Sequence, residues 1–204
     1  MHLGIERLAQ VMSPENGADE QVDWAAARVS WGTTFPRDYQ AFMAVFGSGS
    51  VSDEMDVFSP APVGTTMVGS MADGTTDARY AWEVEGGRAA LDVDPENILS
   101  WGVTSGPDML CWLTAADDPD DWPVLVVGRH TQPMFTVHPM GMVEFLLRLL
   151  EDDPSGWERW PLSIGRPLLV NSTASFVHWQ VQEFRWRAGL DPATGEPSRY
   201  PDGF

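Results

Sequence analysis

The stretch Phe35-Pro36-Arg37-Asp38-Tyr39-Gln40-Ala41-Phe42-Met43-Ala44-Val45-Phe46-Gly47-Ser48-Gly49 decides how this chain is read. Tyr39, Phe42, Met43 and Phe46 fall at i, i+3, i+4 and i+7, which places four large apolar side chains on one stripe of a helix. Pro36 stands in the first turn, where a missing N–H costs nothing, and Asp38 meets the positive end of the helix dipole. Gly47-Ser48-Gly49 stops the helix with residues that tolerate positive φ. The stripe is a core face, and the rest of the chain has to cover it.

Upstream, Ile5, Leu8, Ala9 and Met12 share a helical face that Ser13-Pro14 ends. Asp23 caps a second helix with Trp24, Ala27, Arg28 and Trp31 on one side and Gly32 as its stop. Downstream, the short piece 55–58 suits a strand entering a long loop. Thr75-Thr76-Asp77 is a candidate cap for a helix through Tyr80 and Trp82. The period then changes. Apolar runs at 97–101, 109–114, 122–128 and 134–137, separated by turn-forming clusters, predict an antiparallel meander. A closing helix over 140–151 carries Met142, Val143, Leu146, Leu147, Leu149 and Leu150. The expected architecture is α+β, a mainly antiparallel sheet packed with helices over residues 1–151. Residues 152–204 form a C-terminal extension, with a helical pattern from Ser175 and an irregular Pro- and Gly-rich tail after 190.

Charge narrows the partners. In 204 residues there are 12 basic and 30 acidic side chains, a formal charge of −18. Nucleic-acid and anionic-lipid surfaces both call for a basic stripe, which this chain lacks. All the basic residues are Arg and none is Lys, which removes Schiff-base and phosphate-loop lysine chemistry. Hydrophobic residues at 43% and charged residues at 21% are those of a folding chain. The N-terminal residues show no secretory pattern, and no apolar run approaches the length of a membrane span. With a lone cysteine, Cys111, no intrachain disulfide is available and packing is its expected role. Together these features predict a cytoplasmic protein.

No catalytic constellation emerges from the spacing. His2, His130, His138 and His178 are never three or four residues apart, so no helical metal pair exists, although His130 and His138 flank one strand. Asp117-Asp118-Pro119-Asp120-Asp121 has proline where a calcium loop needs glycine. The other carboxylate clusters, among them Asp53-Glu54-Met55-Asp56, read individually as solvated loop charge. Neither a cofactor nor a metal is expected. In sum, the acidic excess steers a cationic partner inward.

Three stretches together resemble the SUKH superfamily. The first is Trp31-Gly32-Thr33-Thr34-Phe35-Pro36-Arg37-Asp38-Tyr39-Gln40-Ala41-Phe42 with its stop Phe46-Gly47-Ser48-Gly49, Phe35 standing where leucine is usual. The second is the ladder Ile98-Leu99-Ser100-Trp101-Gly102, Gly106-Pro107-Asp108-Met109-Leu110-Cys111-Trp112 and Trp122-Pro123-Val124. The third is Phe135 with the helix 142–150. The resemblance covers about residues 1–151 and implies an α+β fold. It also implies a non-catalytic role, since bacterial members of that family look like immunity proteins that bind and block a toxin domain, often a nuclease. The motif is a folding motif, so it transfers no catalytic residue, and Trp31, Tyr39 and Phe42 are core candidates.

The expectation is therefore an immunity protein for a basic toxin. Asp117, Asp118, Asp120, Asp121 and Trp122 are the first candidates for contact, because they join charge to an aromatic. In the competing reading Trp122 packs on the sheet and the aspartates are solvated. A regulatory scaffold of the same fold and a carboxylate hydrolase are the rival functions.

Overall fold

The computed structural model describes residues 3–14, 20–62, 68–151, 157, 159–166 and 174–198. Three helices open the chain: α1 (Leu3–Val11), α2 (Trp24–Trp31) and α3 (Arg37–Val45). Asp23 caps α2 by accepting from the Ala26 N–H at 2.9 Å, and Gly32 ends it with a φ of 70°. Gly47 ends α3 with a φ of 72°.

The strands are β1 (Met12–Ser13), β2 (Gly49–Val51), β3 (Met55–Val57), β4 (Ile98–Thr104), β5 (Met109–Leu113), β6 (Val124–Val127), β7 (Phe135–His138) and β8 (Ala174–His178). They form one eight-stranded sheet in the order β1-β8-β2-β3-β4-β5-β6-β7. Only the pairing of β1 with β8 is parallel. The fold is thus α+β with a mostly antiparallel sheet, and the four-run meander is strands β4 to β7. Helices α4 (Met71–Val84), α5 (Gly87–Ala90), α6 (Met142–Leu150) and α7 (Trp179–Arg187) complete the framework. No helix among the described residues is long and apolar enough to cross a membrane.

Both faces of the central strands are buried, which explains why their sequences are apolar throughout instead of alternating. On β5, Leu110 and Trp112 belong to the core under α1, α3 and α6, while Cys111 and Leu113 belong to a second core under α4. On β6, Val124 and Val126 face the first core, Leu125 and Val127 the second. The first core is aromatic. Tyr39 meets Trp112 edge-on at 5.1 Å, Trp101 and Trp112 lie 6.2 Å apart, and Phe42 stacks on Phe46 at 4.9 Å. Trp82 of α4 meets Phe135 at 4.8 Å in the second core.

The residues that open α3 are the cross-links. Arg37 binds Asp120, its backbone N–H donating to the Asp120 carboxylate at 2.7 Å and its Nε to the other oxygen. Asp38 accepts from the Val143 N–H at 3.0 Å and so caps α6, whose own N-cap residue is Gly141. Tyr39 donates its hydroxyl to the Phe58 carbonyl at 2.6 Å. A second knot lies at Asp108, which is fully buried. Its carboxylate accepts from Thr104 Oγ1 at 3.0 Å, from the Arg129 N–H at 2.9 Å, and from the N–H (2.7 Å) and hydroxyl of Ser163.

Two expectations change. Helix α4 begins at Met71, because Ser70 accepts from the Asp73 N–H at 3.0 Å and donates to the Asp73 carboxylate at 2.7 Å. Thr75 lies inside the helix and accepts from the Ser100 N–H at 3.0 Å, tying α4 to β4. The helical pattern read from Ser175 begins as strand β8, and α7 starts at Trp179. Phe176 and Val177 are buried there, and β8 pairs with both β2 and β1. Leu162, Ile164 and Phe176 all enter the first core.

Loss of the Asp38 cap in Asp38→Ala should lower unfolding free energy by about 1–2 kcal/mol, read as a lower urea midpoint at unchanged m-value. Asp108→Ala removes a fully buried carboxylate that accepts from Thr104, Arg129 and Ser163 and should cost about 3 kcal/mol or more. Val29→Ala, at an exposed position on α2, should stay within about 0.5 kcal/mol.

Candidate functional site

The acidic loop between β5 and β6 is built around one 3-10 turn, Pro119–Asp121. Asp118 caps it by accepting from the Asp120 N–H at 3.0 Å. Asp117, Asp118 and Asp121 are exposed. Asp120 is committed to Arg37, and that hydrogen bond, followed by the charge of the carboxylate, raises the Arg37 pKa. Trp122 is 3% exposed. Its indole donates to the Ala116 carbonyl at 2.7 Å and lies 6.3 Å from Trp112. Its side chain therefore belongs to the core, which corrects its place among the surface contacts. The four aspartates share this one loop, with Asp120 held by Arg37.

Beside this loop is an open groove of about 470 Å³, lined by Arg37, Asp38, Asp120, Trp122, Gly141 and Glu144 among others. It sits where α3 and α6 begin. Its charges are already matched: Arg37 with Asp120, Glu144 with Arg148, and Asp38 with the α6 backbone.

A second acidic site lies at the β2–β3 turn. The turn forces Ser52 and Asp53 to positive φ, at 54° and 59°. A slot of about 260 Å³ opens there between Ser50, Asp53, Glu54, Asp56, Ser105 and Gln182, with Pro192 at its margin. Burial pushes the Asp56 carboxyl up to about 6 against a lowering hydrogen bond from Ser50, and the Asp53 charge adds to the rise. Asp53 is raised by burial and by its neighbours Asp191 and Glu54. The cluster 53–56 is visible in sequence as charge. Gln182, on the far side of the chain order, carries no sequence signal for this place.

The third cluster joins Glu20, Ser48 and His178. Glu20 accepts from the Ser48 N–H and hydroxyl, both at 2.9 Å, and its carboxylate is 3.1 Å from His178 Nε2. Burial opposes the Glu20 charge, but hydrogen bonds from His178, Ser48 and Ser59 outweigh it and hold the pKa down at about 2. His178 Nδ1 accepts from the Gln180 N–H at 3.2 Å and caps α7. With Nδ1 an acceptor, Nε2 carries the proton and donates to Glu20. Serine here bonds the carboxylate, so no serine–histidine pair is set up for nucleophilic attack. A Cβ on Gly47 would come within 2.6 Å of the His178 ring, so the glycine that stops α3 also makes room for this cluster.

Cys111 and His138 have packing roles. Cys111 is buried, and burial pushes its thiol up to about 12. His138 is driven down to about 4 by burial, its ring 5.3 Å from Phe145 and 5.1 Å from Trp157. His130, expected to flank the same strand as His138, is exposed, and its backbone N–H donates to Ser163 Oγ at 2.8 Å. Among the described residues no group of histidine, cysteine and carboxylate side chains is placed to hold a metal ion.

A scan against protein-family models, a search of curated proteins and a search of solved structures each returned no match.

Glu20 and Asp56 predict opposite pH responses. Glu20 lies below its ordinary 4.5, so its stabilisation is present above about pH 4.5 and lost as pH falls toward 2. Asp56 lies above its ordinary 3.8, so its contribution is present below that value and lost as pH rises through about 6. Thermal melts across this range should lose the acid-side fall in Glu20→Gln and the fall toward pH 6 in Asp56→Asn.

Proposed function

We propose that this chain is a non-catalytic, cytoplasmic protein-binding module of the SUKH type, an immunity protein that occludes a basic, nuclease-type toxin domain. The observation that carries the reading is how the positive charge is spent. Arg7, Arg37, Arg79, Arg148 and Arg187 are ion-paired to Glu151, Asp120, Glu96, Glu144 and Glu183 of the same chain. Asp117, Asp118, Asp121 and Asp53 stand exposed on loops. These loop aspartates are part of an overall excess of −18, and a field of that sign selects a cationic surface and accelerates encounter with it.

The residues that carry the SUKH resemblance support the same view from the other side. Asp38 and Tyr39 are hydrogen-bonded within the fold, and Phe42 is fully buried. That division leaves recognition to the loops. Asp117 and Asp121 are the best contacts of the β5–β6 loop, because Asp120 is held by Arg37 and Asp118 by the turn itself.

The test is co-expression and capture with the C-terminal domain encoded by the adjacent reading frame. Wild-type chain should bind that domain and relieve its toxicity. Asp117→Asn combined with Asp121→Asn should slow association about tenfold at low salt and much less at high salt, by stopped-flow. Failure of the wild-type chain to bind or protect overturns the immunity reading and leaves a scaffold of the same fold. Unchanged association in the double variant removes this loop from the contact.

A further inference from the structure

The second core comes to the surface beside α4. Ala78 and Trp82 turn inward to that core. On another face of the helix, Asp77, Tyr80, Ala81, Val84 and Glu85 fall at i, i+3, i+4, i+7 and i+8, an apolar strip with an acid at either end. Tyr80 is 66% exposed and Val84 58%, while Trp82 between them is fully buried. Across from the strip stand Met109, Val127 and Met134, all packed on the second core. Between the two walls lies an open groove of about 380 Å³. Asp77 and Glu85 line it and have no ion-pair partner among the described residues. The groove lies at the end of the β5–β6 ladder where Met109 pairs with Val127, and the acidic loop lies at the other end, beyond the pair Trp112 and Val124. They are separate surfaces.

We propose that this groove seats a basic, amphipathic helix of a protein partner, its apolar stripe on Tyr80, Val84, Met109 and Met134 and its flanking cations against Asp77 and Glu85. A helix laid in a groove presents anchors at i, i+3 or i+4 and i+7, the spacing of the strip it would meet. Methionine side chains bend to fit such anchors, and an exposed tyrosine supplies contact area at low entropic cost. Arg129, on the sheet side, is the cation of the lining and suits the carbonyl end of the docked helix. Charge decides between a partner and a second copy of this chain. A two-fold contact would set Asp77 and Glu85 against their own counterparts, in chains that each carry −18. The protein source of the helix rests on the binding-module reading, whereas the preference for an apolar stripe flanked by cations rests on the groove alone.

The test titrates the full-length chain, 13C-labelled at its methionine methyls, with the helical peptide acetyl-Leu-Lys-Lys-Leu-Leu-Lys-Leu-Leu-Lys-Lys-Leu-Leu-Lys-Leu-amide and with a shuffled peptide of the same composition whose leucines share no face. The two carry equal charge, so their difference reports the groove and not the overall field. The amphipathic peptide should shift the Met109 and Met134 methyls saturably and bind about tenfold more tightly than the shuffled one. Affinity should fall about tenfold in Tyr80→Ser combined with Val84→Ser, at exposed positions where the thermal melt should match wild type. At low salt it should fall by about the same factor in Asp77→Asn combined with Glu85→Gln. Absence of saturable shifts at those two methyls, equal binding of the shuffled peptide, or unchanged affinity in the Tyr80 and Val84 variant overturns the groove. Unchanged affinity in the Asp77 and Glu85 variant overturns the basic character of its occupant. A wild-type chain that dimerises while the Tyr80 and Val84 variant stays monomeric, by sedimentation, gives the groove to a second copy and overturns the partner helix. Capture of the adjacent-frame domain is read separately. If wild type fails to capture it while the peptide binds, the immunity reading falls and the groove stands. If capture is unaltered in the Tyr80 and Val84 variant, the immunity reading stands and the groove has no part in that contact.

Discussion

The N-terminal turn of α3 aligns the helical layer against the sheet. Arg37, Asp38 and Tyr39 are consecutive, and each ties the helix to a different element: the β5–β6 loop, the N-terminus of α6, and the chain leaving β3 at Phe58. The three directions fan out because successive residues on a helix are about 100° apart, so one turn can address three neighbours. Tyr39 also fills the aromatic core with its ring, touching Trp24, Phe35 and Trp112. Its hydroxyl is buried with a carbonyl partner, and burial followed by the Glu20 charge pushes its pKa well up. A neutral phenol donating to a carbonyl is the form that such a place stabilises.

The same turn explains why the β5–β6 loop carries both structure and charge. One of its aspartates is a latch to Arg37, another caps the turn, and Trp122 roots the loop in the core beside Trp112. Only the remaining carboxylates are free of a place in that scaffold. A loop anchored at an aromatic and a salt link presents its charges in one geometry, and that lowers the ordering cost when a partner docks. The exposed Arg37–Asp120 pair contributes little energy in water by itself, and its value is positional.

The β2–β3 turn illustrates the opposite case, where charge is gathered without being matched. The Asp53 charge raises Asp56, and both stand in a slot where burial already disfavours ionisation. Gln182 reaches the same slot because β8 pairs with β2 and α7 follows directly. Gly49 permits that pairing at close range: a Cβ there would lie 2.3 Å from the Val177 carbonyl. One backbone contact thus brings the late part of the chain against the early acidic turn.

Periodicity alone determined α1, α2, α3, α6 and the meander β4–β7, since each is marked by spacing, caps and stops that act over a few residues. The stripe Tyr39, Phe42, Met43 and Phe46 is fully buried, as its i, i+3, i+4, i+7 spacing requires. Composition likewise fixed the sign of the surface, because an excess of acidic over basic residues survives any fold. Helix α4 was placed late, because Ser70 and Asp73 cap each other before the threonines. Only tertiary structure decided which carboxylates are latches and which face water, since Asp120 is set apart from Asp117 and Asp121 by a contact 83 residues away. The place of Trp122, the insertion of β8 between β1 and β2, and the meeting of Gln182 with Asp56 have the same origin. They are pairings between segments distant in sequence, whose free energy depends on burial and hydrogen-bond partners that no local pattern encodes.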